Sequence, residues 1–397
     1  MNKRAFLKTF TTLGIGSPFI GTLLSSCEGK ATFFEDFEVD FNGKVLVIGA
    51  GAAGLTAGHI LNQQNIDFQI LEASSIHGGR VKKAADFVDF PIDLGGEWIH
   101  TDPSILVTLL NDPQVDANIE VITYNPQTIA VWKNGALKKR NFTSNFYSEY
   151  KFKNSTWFDF FDQFIVPSIR DRIAYNSPVN AIDYTGEKVI VKTISGEVYE
   201  ADKVLVTIPI KILQNEFINF SPSLPAEKIS AIQEEQMPDG LKVFIEFSEK
   251  FYPDIVMLDS LLDAFINSDH TYYNAAFGKD SDRHVFALFT VGEPASRYTS
   301  LQTEEAILKK VMSELDEIFD GKASQYYVQH VIQNWSQEPF IQGSYSYGYS
   351  STEVLAAPVE DRIYFAGEAI NTNGNTSTVH GAGESAYLAL EKLLKKG

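Results

Sequence analysis

Three observations predict an α/β protein built on a parallel sheet. A continuous apolar run, Lys44-Val45-Leu46-Val47-Ile48, ends in the cluster Gly49-Ala50-Gly51-Ala52-Ala53-Gly54. Helical spacing follows from Ala52 to about Gln64, and a second strand-like run from Asp67 to Glu72 completes a strand–helix–strand unit. Two later runs of the same kind, Lys203–Ile208 and Arg362–Ala366, are too continuously apolar for half-exposed strands and read as buried ones.

Composition sets the limits. The chain has 397 residues, 44% of them apolar and 21% charged, which is globular rather than disordered or collagenous. Its length implies about two or three domains. Against 33 Lys+Arg stand 51 Asp+Glu, a net charge of −18. Binding through phosphate neutralisation needs a basic face, so no nucleic-acid partner is expected, whereas cationic small molecules would be attracted. The single cysteine, Cys27, excludes an internal disulfide and a cysteine-based metal site. The seven histidines form no HExxH and no close pair with carboxylates, so no metal is expected.

The N-terminus carries Lys3, Arg4 and Lys8, and no acidic residue precedes Glu28. From Thr9 to Ser26 the chain is apolar or small, interrupted by Gly14, Gly16 and Pro18. This is the pattern of a secretory signal, and glycine and proline in so short a stretch disfavour a permanent spanning helix. Leu24-Ser25-Ser26-Cys27 resembles a bacterial lipobox, which would make Cys27 the lipidated first residue. Lys3-Arg4-Ala5-Phe6-Leu7-Lys8 resembles a twin-arginine export signal with lysine at the first arginine. The plainer reading is an ordinary cleaved signal with a chance cysteine. The expectation is an exported bacterial cell-envelope lipoprotein, in the periplasm or on the outer surface, touching membrane only through its lipid. Residues 1–27 are then the signal and the acidic stretch 28–42 a tether.

The remaining elements follow in order. Residues 103–174 carry mixed short elements, including an aromatic stretch at 147–165. Lys188–Thr193 with Val198-Tyr199 reads as a hairpin leading into the buried Lys203 strand. Residues 242–247 alternate like a strand, and 302–319 have helical spacing with acids in the first turn. Gly381 to Lys395 reads as a terminal helix. There is no internal repeat.

Gly49 to Gly54 match GxGxxG between strand and helix. The first glycine permits the tight turn, the second lets backbone approach a pyrophosphate, and the third allows helix-on-strand packing. The phosphates would sit on the helix N-terminus. Glu72, at the end of the second strand, is placed to accept ribose hydroxyls. This predicts a Rossmann-like dinucleotide site without separating NAD from FAD.

Further residues narrow the cofactor by resemblance. Leu71-Glu72-Ala73 followed by Gly78-Gly79-Arg80 resembles the signature of FAD-dependent amine oxidases of the monoamine and polyamine oxidase kind. Asp93-Leu94-Gly95-Gly96-Glu97-Trp98-Ile99-His100 is similar to the segment that runs under the isoalloxazine in that family. Phe365-Ala366-Gly367-Glu368 and Thr378-Val379-His380-Gly381-Ala382 resemble its closing motif. The resemblance implies that Gly49, Gly51, Ala53, Gly54, Glu72, Ala73, Gly79, Arg80, Gly96, Glu97, Trp98, Val179, Gly367, Glu368, Thr378 and Val379 bind FAD. It gives Arg80 the flavin's phosphate and ribityl region, Glu368 the ribityl chain and Val179 the adenine. It implies that Lys242 holds a water at flavin N5, that Trp335 packs beside the isoalloxazine, and that Tyr345 flanks the substrate amine, with His100 and Thr378 also facing substrate. Taken alone, Trp335 and Tyr345 read as core aromatics, Lys242 as an outward strand lysine and His100 as a rim histidine.

Two departures stand out. The family's second caging ring falls on Thr378, and residues 369–378 contain no aromatic. The cysteine that binds flavin covalently in some relatives falls on Ser344, so FAD is expected without a thioether link. The resemblance implies an α/β FAD-binding domain from 43–100, 175–237 and 338–397. A mixed α+β substrate domain is expected from the insertions 101–174 and 238–337. It implies an enzyme acting on the CH–NH bond of a small amine, with oxygen or another electron acceptor. A desaturase or porphyrinogen-type oxidase on the same scaffold, or an FAD-containing lipoprotein that binds without turnover, are the alternatives.

Overall fold

The computed structural model describes residues 37–395 apart from 85, 113–114, 116–118, 141–148, 259–269 and 348–350. The expected export signal, the lipobox with Cys27, and residues 28–36 of the expected tether lie outside the described residues. Among the described residues no helix is long and apolar enough to cross a membrane.

Five strands form a wholly parallel sheet in the order Ile173–Ala174, Asp67–Leu71, Lys44–Ile48, Lys203–Val206, Ile363–Phe365. The Lys44–Ile48 strand shows why such runs are continuous. Val45 and Val47 join the core beneath the helices Ala52–Gln63 and Val379–Leu394, whereas Leu46 and Ile48 join the core on the opposite face. That second face is covered by an antiparallel-rich sheet, ordered Val198–Ala201, Val189–Thr193, Val179–Asp183, Asn219–Ser221. The hairpin read from residues 188–199 is its Val189–Thr193 and Val198–Ala201 pair. Alternation is present in direction, but both directions are buried.

A third sheet has seven strands, ordered Tyr327–Asn334, Gly240–Phe247, His284–Val291, His270–Asn274, Ile255–Leu258, Ile129–Lys133, Ala136–Arg140. All its pairs are antiparallel except Ile255–Leu258 with Ile129–Lys133. Every residue of Gly240–Phe247 is buried. Leu241, Val243, Ile245 and Phe247 face the helix Glu304–Phe319, which Thr303 caps by accepting from the Ala306 N–H at 3.1 Å. Phe244 packs in a different cluster, on the other face of the strand. Lys242 shares that face and is 2% exposed. The outward-lysine reading is therefore excluded. Both faces of the strand are covered, which its alternation does not reveal.

Three sequence expectations change. Residues 101–174 do not stay together beside the seven-stranded sheet. Trp157, Phe160, Phe161, Ile165 and Ile169 enter the core with the Ala52–Gln63 helix, and Ile173–Ala174 is an edge strand of the parallel sheet. An aromatic run shows that a segment is buried, not which neighbour buries it. Residues 37–42 of the expected tether are docked: Phe37, Val39 and Phe41 pack on the same core, and the Asp40 N–H donates to Leu394 O at 3.0 Å. The terminal helix begins at Val379 rather than Gly381, because the Thr378 hydroxyl accepts from the Gly381 N–H at 3.0 Å and caps it.

Candidate active site

A cavity of about 850 Å³ runs from the carboxyl ends of the parallel strands to the face of the seven-stranded sheet that bears Lys242. Ligand sites in open α/β sheets form outside those strand ends, because the turns there splay apart.

At one end lie Gly49, Gly51, Ala53, Glu72, Ala73, Gly79, Arg80 and Val179. Gly49 has φ 104°, which a side chain would strain. Gly54 does not reach the cavity. A Cβ there would lie 1.9 Å from the Gly49 carbonyl oxygen, so this glycine seats the helix on the turn. A Cβ on Gly51, in contrast, would point into open space, 4.0 Å from its nearest neighbour. The Ala52–Gln63 helix has no side-chain cap at its N-terminus, leaving first-turn N–H groups for an anion. Glu72 accepts from the backbone of Ala50 at 2.7 Å and Ser74 at 2.8 Å. Burial raises its pKa while these amides oppose the rise. A carboxylate has about four acceptor sites, so Glu72 retains capacity for hydroxyl donors. The glycine cradle, the uncapped helix and the carboxylate fit the pyrophosphate and ribose of FAD.

Arg80 and Glu368 both line the cavity and pair with each other. Arg80 donates to Glu368 Oε1 at 2.8 Å and to Ser344 O at 2.9 Å. Glu368 accepts from the Ser346 hydroxyl at 2.5 Å and the Ser346 N–H at 3.1 Å. Gly367 completes this middle section of the wall.

Gly96, Glu97, Trp98, His100, Lys242, Trp335, Tyr345, Thr378 and Val379 line the rest of the cavity. Trp335 donates from Nε1 to Leu94 O at 3.0 Å, which presses its ring against the Asp93–His100 segment. Lys242 donates to Glu97 Oε2 at 2.7 Å and to Asp93 O at 3.3 Å. The Thr378 hydroxyl caps its helix and donates to Asn375 O at 2.9 Å, so its main duty is structural. His100 Nδ1 lies 3.3 Å from Glu149 Oε2. Behind them His380 is buried, and desolvation, reinforced by His100, lowers its pKa to about 3.

Sequence reasoning missed four residues here: Tyr124, Glu149, Lys151 and Tyr273. Three come from a small sheet, ordered Trp98–Ile99, Glu149–Phe152, Val121–Tyr124, in which Lys151 pairs with Trp98 and Glu149 with Tyr124. No local motif marks them; the alternation of Glu149 and Lys151 inside an aromatic stretch was the only available signal.

Residues 52–153 and 162–394 match the model of the flavin containing amine oxidoreductase family. Polyamine oxidase 1 of Zea mays is 31% identical over 233 residues, covering 56% of this chain and 45% of that protein. Lysine-specific histone demethylase 1B of Mus musculus is 30% identical over 206 residues, covering 50% of this chain and 25% of that protein. The chain thus spans less than half the length of these curated relatives. A solved wild-type putrescine oxidase bound to putrescine has TM-score 0.72 at 14% identity, over 88% of this chain and 98% of its own. Cyclohexylamine oxidase from Brevibacterium oxydans has TM-score 0.71 at 15% identity, over 88% of this chain and 98% of its own. At such identities the likeness is one of fold, and the fold is that of FAD-dependent amine oxidases. FAD is the cofactor that this family brings to the cavity. A match running through both large sheets and both ends of the site makes the chain a member of the flavin-containing amine oxidoreductase family.

Proposed function

We propose that the protein is an FAD-dependent amine oxidase that oxidises the carbon beside an unprotonated amine to an imine, which water then hydrolyses. When bound, FAD supplies the hydride acceptor at N5, and oxygen regenerates it with release of hydrogen peroxide. One observation carries this reading: Lys242, Trp335 and Tyr345 line the same end of a cavity whose other end is the glycine cradle. Trp335, Tyr345, Trp98 and Tyr273 supply aromatic wall that excludes water and raises the cost of a charged amine. His100, steadied by Glu149, offers a ring nitrogen to the amine N–H. Lys242 keeps an ammonium donor at the cavity wall, where it can orient a water.

Ser344 donates to Pro238 O at 3.0 Å and offers no thiol, so we infer FAD held without a covalent link. Acid precipitation should release yellow cofactor into the supernatant, and an anaerobic panel of amines should bleach the bound flavin. Bleaching by cyclic alkenes or porphyrinogens alone would replace this reading with the desaturase one. No bleaching at all would leave a binding protein.

We also infer, from residues 3–27, export and lipidation at Cys27. Wild-type protein should incorporate labelled fatty acid and Cys27→Ala should not; an unlabelled wild type sinks the lipoprotein reading.

A further inference from the structure

The Lys242 end of the cavity holds a charge arrangement that the reaction above does not use. Glu97 lies between two ammonium groups, with Oε2 2.7 Å from Lys242 Nζ and Oε1 2.5 Å from Lys151 Nζ. Both lysines are 2% exposed and Glu97 is 6% exposed. Tyr273 donates its hydroxyl to Glu97 Oε2 at 2.5 Å. Burial by itself would raise the Glu97 pKa, yet Lys151 and Lys242 draw it down to about 2. Glu97 is therefore an anion shared by two cations.

One lysine would suffice to neutralise Glu97, and burying a second ammonium is costly unless something compensates it. The structure supplies that compensation with rings. Lys151 Nζ lies 5.5, 5.0 and 5.3 Å from the ring centroids of Trp98, Tyr124 and Tyr273. Glu97, Lys242 and Tyr273 line the cavity, whereas Lys151 stands behind them. Two further ionisable groups face the cluster, Asp93 and Lys279. Three lysines against two carboxylates leave one positive charge in excess when all are ionised. Burial, then the charge of Glu97, pushes the Asp93 pKa well up, which enlarges the excess, whereas burial, then Lys151, lowers that of Lys279 to about 8, which trims it above that pH.

We propose that Lys151 is a positioning residue that engages Glu97 and so leaves the charge of Lys242 uncompensated at the cavity wall. The wall then carries a net positive charge rather than a neutral lysine–glutamate pair. Buried charge of this kind acts through a low effective dielectric, so its reach includes a ring bound against that wall. It favours the reduced, negatively charged state of the flavin and the transfer of electrons to oxygen. This rests on the reading that the isoalloxazine occupies the Lys242 end.

The test is the midpoint potential of the bound flavin, with stopped-flow reoxidation as a second readout, on holoenzyme variants. Lys151→Met leaves a neutral Lys242–Glu97 pair. Its potential should fall by about 30 mV or more, a tenfold change in the two-electron equilibrium, with reoxidation slowed in step. Glu97→Gln should move the potential the opposite way. The double variant Lys151→Met/Glu97→Gln restores a single uncompensated charge on Lys242, so its potential should return toward wild type. Two merely structural lesions would instead shift the potential in the same direction and compound. A Lys151→Met potential equal to wild type, or a double variant worse than either single, overturns the proposal. Should Lys151→Met fail to load flavin, Glu97→Gln decides it alone: a raised potential supports, an unmoved or lowered one refutes. A wild type that amines do not bleach would defeat the functional reading instead.

Discussion

Lys242 shows how much a single side chain depends on its neighbours. On an exposed strand it would be a solvated charge; here its stem lies among Trp98, Phe244 and Phe289, with the ammonium 5.2, 5.6 and 5.8 Å from those ring centroids. Replacing it with methionine keeps most of the packing volume and removes charge and donor. Glu97 retains Lys151 and Tyr273 as partners, so no buried anion is orphaned. Flavin should stay bound in Lys242→Met, because the cradle, Glu72 and Arg80 lie at the opposite end and in the middle of the cavity. Reoxidation of the reduced flavin should slow about a hundredfold, the scale of one preorganised charge interaction. Stopped-flow mixing of photoreduced enzyme with oxygen measures this, and a rate equal to wild type would remove Lys242 from the catalytic set.

The loop before the Val379–Leu394 helix is organised by one carboxylate within that helix. Glu384 is 2% exposed and accepts from the side-chain amides of Asn371 at 2.7 Å, Asn373 at 2.6 Å and Asn375 at 2.8 Å. The spacing of asparagine at every second position brings all three amides to the same acceptor. Asn375 in turn accepts from Thr378, whose hydroxyl caps the helix that borders the cavity. Glu384→Ala removes an acceptor shared by three amides, of which Asn371 alone is buried and keeps the Gly381 carbonyl, while Asn373 and Asn375 turn to water. One buried hydrogen bond lost costs about 1–2 kcal/mol. Stability should drop by about 1–2 kcal/mol in urea titration, with weaker flavin retention. A variant as stable as wild type would show the loop to be held by other contacts.

At the scale of the whole molecule, two buried histidines weaken the fold in acid. Burial lowers the pKa of His380 to about 3 and that of His270 to about 4, and Nδ1 of each is buried without a hydrogen-bond partner. Unfolded histidine binds a proton near pH 6.5. Between there and about pH 3–4 the unfolded chain therefore holds more protons at these sites than the native one, and stability falls as pH falls. Glu235 acts in the opposite sense. Burial, then the charge of Glu368, raises its pKa to about 7, so between its ordinary value and 7 the native state holds the extra proton. Glu72 and Asp93, also raised by burial, act in the same sense as Glu235, so the histidine share is read as a difference. From pH 7 to pH 4 wild type should lose about 3 kcal/mol of unfolding free energy relative to His380→Gln in urea titration. Equal pH dependence in wild type and His380→Gln would mean that His380 titrates in the folded state.

What the sequence determined by itself was local or periodic. The strand–turn–helix at Gly49–Gly54, the acidic residue ending the second strand and the buried parallel strands are written in adjacent residues, because backbone geometry and burial on two faces restrict each position directly. Resemblance extended this to the lining of the far end, whose named residues do meet in one cavity. Only the tertiary structure decided three other matters. It turned Lys242 inward, since alternation gives direction without saying which directions are covered. It gave residues 157–174 to the parallel sheet and its helices, since apolar periodicity carries no address. It joined Glu97, Lys151, Lys242 and Tyr273, which come from four separate strands or turns. An ion-pair cluster depends on distances of a few ångströms between remote segments, and no spacing along the chain encodes those.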